Sequence, residues 1–159
     1  MASARGPRGT MPWSVRIAAF AVGVVVLVAL AALALVLRAG AAPWTESAQL
    51  AAYAALFGLL LAGILARRRL AWLWGRYLGF FLFAVAVAGV LTNAGRLGGP
   101  GIAAIVLGFA APLLVTSLAL GRLSALAWFG LVCPSCDLPS TRGDLLMRTI
   151  RCSRCGSTF

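Results

Sequence analysis

Four apolar stretches long enough to cross a bilayer constrain this chain more than anything else in it. They run from about Ile17 to Leu37, from about Ala48 to Ala66, from Leu70 or Tyr77 to about Asn93, and from about Gly101 to Gly121. A helix rises about 1.5 Å per residue, so roughly 20 residues cross the ~30 Å of hydrocarbon. Apolar residues occupy every side of these stretches. That pattern fits helices immersed in lipid or in one another, not amphipathic surface helices. The composition agrees: 62% of the 159 residues are hydrophobic and 11% are charged. Soluble domains run at about 45–50% and 25%. An ordinary soluble enzyme, a disordered tail and a fibrous repeat are all excluded. The expected fold is an all-α integral membrane protein with a four-helix bundle over residues 17–121.

The first stretch has Arg5, Arg8 and Arg16 before it and Ala39-Gly40-Ala41 after it, features shared with cleaved signal peptides. Its apolar run exceeds the 7–15 residues of a signal peptide's hydrophobic region, and Arg38 stands just before the cleavage-like site. It therefore reads as an uncleaved span.

The net charge is +11 and every basic residue is Arg, a usage that suits a GC-rich bacterial genome. Such a charge can mark nucleic-acid binding. Here most of the arginines flank apolar segments, where basic residues set topology, so nucleic acid is not an expected partner. Only Arg38 and Arg96 fall in the two loops of one side. The N-terminal tail, the loop after the second span and the C-terminal tail hold all the others. The positive-inside rule then places both termini in the cytoplasm of a multi-pass protein of the bacterial inner membrane.

The chain contains no His, which removes His-based metal sites and proton relays. Its acids, Glu46, Asp137 and Asp144, all lie outside the apolar stretches. A transporter coupled to protons or cations would lack its usual intramembrane carboxylate. No small-molecule substrate is evident. Arg76 is expected within two turns of the cytoplasmic end, snorkelling to the headgroups, with Trp72 and Trp74 as an interfacial belt. A substrate-binding Arg76 is the sharper alternative. Gly75 and Gly79 form a G-x-x-x-G pair that permits close helix approach. Pro112 predicts a kink in the fourth span, with Thr116 and Ser117 one turn on. Thr45 or Ser47 is expected to cap the second helix, and Leu97 to Gly101 to break sharply before the fourth. Tyr53, Thr92 and Asn93 read as interface or inter-helix contacts. Residues 1–16 form an N-terminal tail. Residues 122–132 are too apolar for a free linker and read as an interfacial tether, or as an extension of the fourth helix.

The strongest motif lies beyond that tether. Cys133, Cys136, Cys152 and Cys155 form Cys-x2-Cys, fifteen residues, Cys-x2-Cys. That is the spacing of a zinc site. Two thiolates two residues apart can meet one metal from a tight turn, and two such turns close a tetrahedral shell at about 2.3 Å. Gly156 follows the second turn and accepts positive φ. Asp137 holds the same place after the first. Pro139 to Gly143 supplies turn residues, Leu145 to Arg151 a β-prone approach, Leu131-Val132 and Thr158-Phe159 flanking strands. Phe159 is expected to cover the site. Its candidate core is small: Leu131, Val132, Leu145, Met147, Ile150 and Phe159. Such a module folds on its metal, apart from the bundle.

On Cys133-Pro-Ser-Cys136 and Cys152-Ser-Arg-Cys155-Gly156, segment 133–159 resembles a zinc ribbon of the rubredoxin-like group. The resemblance implies a small β-hairpin module holding Zn²⁺, with Fe as the alternative and free or redox thiols as a third reading. The reducing cytoplasm disfavours disulfides. Counted with its zinc, the module is near neutral, which argues again against nucleic acid. The expected function is non-catalytic: a membrane protein whose structural cytoplasmic ribbon docks it, as an accessory subunit, to other membrane proteins of a larger complex. The rivals are a membrane-anchored electron carrier with iron in the four-cysteine site, and a small transporter or lipid-handling protein.

Overall fold

The computed structural model describes residues 10–40, 44–143 and 147–159. Four of its helices are long and apolar enough to cross a membrane: α1, Trp13–Ala39; α2, Trp44–Leu65; α3, Arg69–Arg96; and α4, Gly98–Leu120. A short helix, α5, Leu123–Trp128, follows. The third span thus begins at Arg69 and not at Tyr77. Helical hydrogen bonding runs on from α3 into α4, and only Gly98, at φ 64° and ψ 169°, leaves helical geometry. Glycine takes that conformation without a Cβ clash. Pro100 then sits in the first turn of α4, where its missing N–H costs nothing. The expected breaker is therefore a one-residue corner. Leu145, like the chain before Thr10, lies outside the described residues.

Thr45 and Ser47, expected as caps, lie inside the first turn of α2 beside Glu46. An acid there suits the positive end of the helix dipole. At the other end of α2, Arg67 adopts φ 55°. Arg68 N–H donates to Gly63 O at 2.9 Å and Arg67 N–H to Ile64 O at 3.2 Å. These two bonds close a Schellman turn. The non-glycine residue in it is held by the Trp128 ring, 3.5 Å below the Arg67 guanidinium carbon.

The bundle packs through small residues. A Cβ on Gly75 would lie 2.6 Å from Leu120 Cδ1, and one on Gly79 would lie 3.2 Å from Leu113 O. The G-x-x-x-G pair is thus where α3 meets α4. Gly63 meets α3 still more tightly: a Cβ there would lie 2.7 Å from Ala71 Cβ, an atom fixed to its backbone. Gly63→Val is therefore expected to cost about 1–3 kcal/mol by overpacking. Denaturant titration of detergent-solubilised protein followed by circular dichroism measures it, and an unchanged midpoint would remove this contact from the account of the fold.

Trp72 departs from the expected interfacial belt. It is fully buried, and its indole N–H donates to Leu120 O at 2.9 Å, satisfying a carbonyl at the end of α4. Trp74 stays exposed. The Arg76 guanidinium carbon lies 5.7 Å from the Trp72 ring and 6.0 Å from that of Tyr77. It also lies at Gly121, beside the negative end of α4. Ser117 donates to Arg76 O at 2.7 Å and Thr116 to Pro112 O at 2.8 Å. Ahead of Pro112, Val106–Ala110 forms a π-helical turn. This widened turn absorbs the proline. Tyr53 and Phe57 pack on the Phe109 ring, while Thr92 and Asn93 bond back to Gly89 within α3.

The tether is neither a helix extension nor a free linker. Arg122, in extended conformation, breaks the chain before α5. Ser14 of α1 and Ser124 of α5 share a hydrogen bond at 2.8 Å. Gly130, at φ 66°, ends α5 in a second Schellman turn, with Leu131 N–H donating to Leu126 O at 2.9 Å. The start of α1, the α2–α3 turn, α5 and the cysteine segment therefore gather at one end of the bundle.

The expected β-hairpin does not form among the described residues. Three isolated antiparallel bridges stand in its place: Val132 with Pro139, Gly143 with Ile150, and Arg151 with Thr158. Leu131, Met147 and Ile150 join the same buried cluster as Trp72, Leu120 and Leu126, and Phe159 packs against it.

Candidate metal centre

Two turns of matching construction bring the cysteines together. In the first, Asp137 N–H donates to Cys133 O at 3.0 Å and Cys133 N–H to Leu138 O at 2.9 Å. In the second, Gly156 N–H donates to Cys152 O at 3.1 Å and Cys152 N–H to Ser157 O at 2.9 Å. Each closes on a residue at positive φ, Asp137 at 52° and Gly156 at 73°, as the sequence leads one to expect. The likeness extends outward: Ser140 N–H donates to Leu131 O at 2.8 Å, as Phe159 N–H does to Ile150 O at 3.0 Å. Placing Cys133 on Cys152 thus superposes two copies of one turn, facing each other.

The four Sγ atoms all lie within 4.8 Å of one another. Cys133 and Cys155 stand 3.5 Å apart, Cys136 and Cys152 3.5 Å, and Cys136 and Cys155 3.8 Å. Four sulfurs held about 2.3 Å from one ion in a tetrahedron would stand about 3.8 Å apart. The donor set and its spacing fit a metal ion. Cys133 and Cys152 are buried and Cys155 is exposed.

Ser157 breaks the symmetry of the two turns, since Leu138 holds its place in the first. Its hydroxyl lies 3.3 Å from Cys133 Sγ and 3.0 Å from Cys155 Sγ. Hydrogen bonding to Ser157, whose single O–H proton the two sulfurs share, is the chief cause pulling the Cys133 thiol down to about 6 and lowering Cys155. Cys136 moves up to about 12: the Leu138 N–H favours its thiolate, but crowding by Cys152, Cys133 and Cys155 and loss of water outweigh it. At neutral pH the metal-free centre thus still holds protons that an ion must displace. Metal uptake is expected to release protons and to weaken as pH falls towards 6, where Cys133 also protonates. Each proton released changes the apparent affinity about tenfold per pH unit. Calorimetric titration with zinc in two buffers of different ionisation enthalpy counts those protons; a count of zero would mean that the thiols are already ionised.

A guanidinium that sequence reasoning assigned only to topology fastens the centre to the bundle. Arg69, first residue of α3, donates from Nη2 to Gly130 O at 3.2 Å and from Nη1 to Arg148 O at 3.2 Å. Nη1 also reaches Met147 O and Phe159 O, each at 3.5 Å. Gly130 faces this group so closely that a Cβ there would lie 3.4 Å from Arg69 Nη2. Ser140, buried between the turns, donates to Arg151 O at 2.7 Å. No periodicity betrays Arg69, whose acceptors all lie far along the chain. Ser157 had a faint signal, a hydroxyl two residues past the last cysteine. Arg76 approaches none of the cysteines. The chain matches no protein-family model, and neither a curated protein nor a solved structure is similar to it.

Proposed function

We propose that this is a non-catalytic membrane protein whose four cysteines hold one structural Zn²⁺, and that the metal-bound segment is a docking element for other subunits of a larger membrane complex. The observation that carries this reading is the closed cage of four sulfurs on two matched turns, fastened to the bundle by Arg69. Four thiolates fill a tetrahedral shell, whereas catalytic zinc keeps an open position for water. The chain has no His, and Asp137 serves as a turn residue, so among the described residues no general base is evident beside the cage. A rigid, metal-stapled surface held against the helix ends is suited to binding a partner.

The arginines support an orientation in which the metal segment and both termini face the cytoplasm of a bacterial inner membrane. Arg67, Arg68, Arg69, Arg76 and Arg122 all sit at the end of the bundle that carries it, and Arg96 at the opposite end.

Metal analysis of the chain purified from its native host, with visible absorbance, tests the first half. One colourless zinc per chain is the expected result. Iron at full occupancy, with thiolate-to-metal charge transfer and a reversible one-electron couple, would replace it with the electron-carrier reading. Purification in mild detergent with and without residues 133–159 tests the second half: the docking role requires a partner that the deletion releases.

A further inference from the structure

α2 and α3 touch where Gly63 meets Ala71, and Leu60 still reaches Gly75 further along. Between them opens a groove of about 1120 Å³, as large as the biggest ordinary ligand pockets. Its walls are apolar, formed by Leu56, Leu60, Trp74 and Leu78, and its mouth is ringed by Arg67, Arg68 and Arg69, with Met147 and Arg148 of the cysteine segment beside them. Among the described residues, none that lines it is an acid. Polarity is therefore sorted along the helix axes, with cations at the end of the spans and hydrocarbon within.

The dimensions narrow the occupant. From Arg67 back to Leu56 along α2 is about 16 Å, and from Arg69 to Leu78 along α3 about 14 Å, at 1.5 Å per residue. Both are about half of the ~30 Å hydrocarbon thickness. The groove thus runs from headgroup level to the bilayer midplane and matches one leaflet. The three guanidinia differ in freedom. Arg69 is engaged by main-chain oxygens and Arg67 lies over Trp128. Arg68 is exposed, and no hydrogen bond or ring contact holds its guanidinium among the described residues. It stands between two fixed cations at the mouth of an apolar slot. Basic pockets between spanning helices are suited to anionic headgroups.

We propose that this groove holds one anionic phospholipid from the leaflet at the arginine-rich end. Its phosphate sits on Arg68, flanked by Arg67 and Arg69, and an acyl chain lies along Leu60 and Trp74. The inference rests on the bilayer reading of the four helices and not on the metal.

The test is native mass spectrometry of the full, metal-loaded chain released from nanodiscs of equimolar phosphatidylglycerol and phosphatidylcholine. One phosphatidylglycerol is expected to stay bound, at least about tenfold more often than phosphatidylcholine, whose choline ammonium would meet the guanidinia around the phosphate. Arg68→Gln should remove most of that preference, while Arg96→Gln, at the other end, should leave it intact. Leu59→Trp, which fills the groove without touching a charge, should also expel the lipid. An unchanged helical circular-dichroism signal and denaturation midpoint show that each variant's bundle is folded. Equal retention of the two lipids, or a preference that survives both Arg68→Gln and Leu59→Trp, would overturn the proposal. Failure of the chain to enter nanodiscs at all would instead overturn the bilayer reading.

Discussion

Cys152→Ser is expected to reduce the bound metal from about one ion per chain to nearly none and to unfold the segment after Val132. A serine hydroxyl is not deprotonated at neutral pH and ligates a soft-acceptor site poorly, so the shell falls to three thiolates. Structural zinc in small modules supplies about 10–16 kcal/mol of folding free energy at neutral pH. Little else would replace it. Modules below about 40 residues seldom fold without metal, disulfide or partner, and this one has isolated bridges where a ribbon would have strands. The four long helices do not depend on the ion and should insert as before. Limited proteolysis of the solubilised chain reads the result: cleavage within 133–159 should rise at least about tenfold, with α1 to α4 intact. A tail as resistant as the parent's would mean that packing on the bundle, through Leu131, Met147 and Ile150, folds it in place of the metal.

Arg69→Ala is the second large effect, and its signature is different. The guanidinium reaches main-chain oxygens on Gly130, Met147, Arg148 and Phe159. Bonds from a charged donor contribute about 1.5–3 kcal/mol each, and of these acceptors Phe159 O keeps the Ile150 N–H when the guanidinium is removed. Because the four share one donor group they are not additive, and a loss of roughly 3 kcal/mol is expected. None of these acceptors belongs to a cysteine, so the variant should keep its metal while the segment loosens from the helix ends. Hydrogen exchange should quicken for amides of residues 147–159 and around Gly130, with zinc content unchanged. Arg69→Lys should restore less than half of the protection, since an ammonium cannot fork between separated carbonyls. Exchange unchanged in Arg69→Ala would show that the apolar contacts alone hold the segment.

The two variants divide what the sequence revealed from what it hid. The spans were legible because lipid demands some twenty apolar residues in a row, a local and continuous signal. The cage was legible because its ligands recur at a fixed short spacing, and Asp137 and Gly156 carried the turn geometry with them. The ambiguous start of the third span was settled by a distant group: Arg69 begins α3 with its side chain committed to the C-terminal segment. Trp72 looked like an interfacial residue by composition, and only the end of α4 packed against it makes it a buried donor. Among the described residues the hairpin is reduced to isolated bridges: Ile150 and Phe159 exchange both backbone bonds and Arg151 N–H donates to Arg142 O, but no longer ladder extends from them. For Arg69 and Trp72 the deciding contact lies far along the chain, where no periodicity reports it.

The π-turn at Val106–Ala110 has a consequence for everything that follows it. A wide turn holds about one residue more than an α-turn before the chain comes full circle. Were the same residues wound as α-helix throughout, at about 100° each, everything beyond Ala110 would be turned by roughly that angle. Ser117 would swing away from Arg76, and Leu120 from Trp72. The apolar stretch would look the same to any hydropathy scale, yet the face that α4 offers to α3 would be another one. The wide turn thus takes up a surplus residue and keeps the rotational register in which the bundle closes.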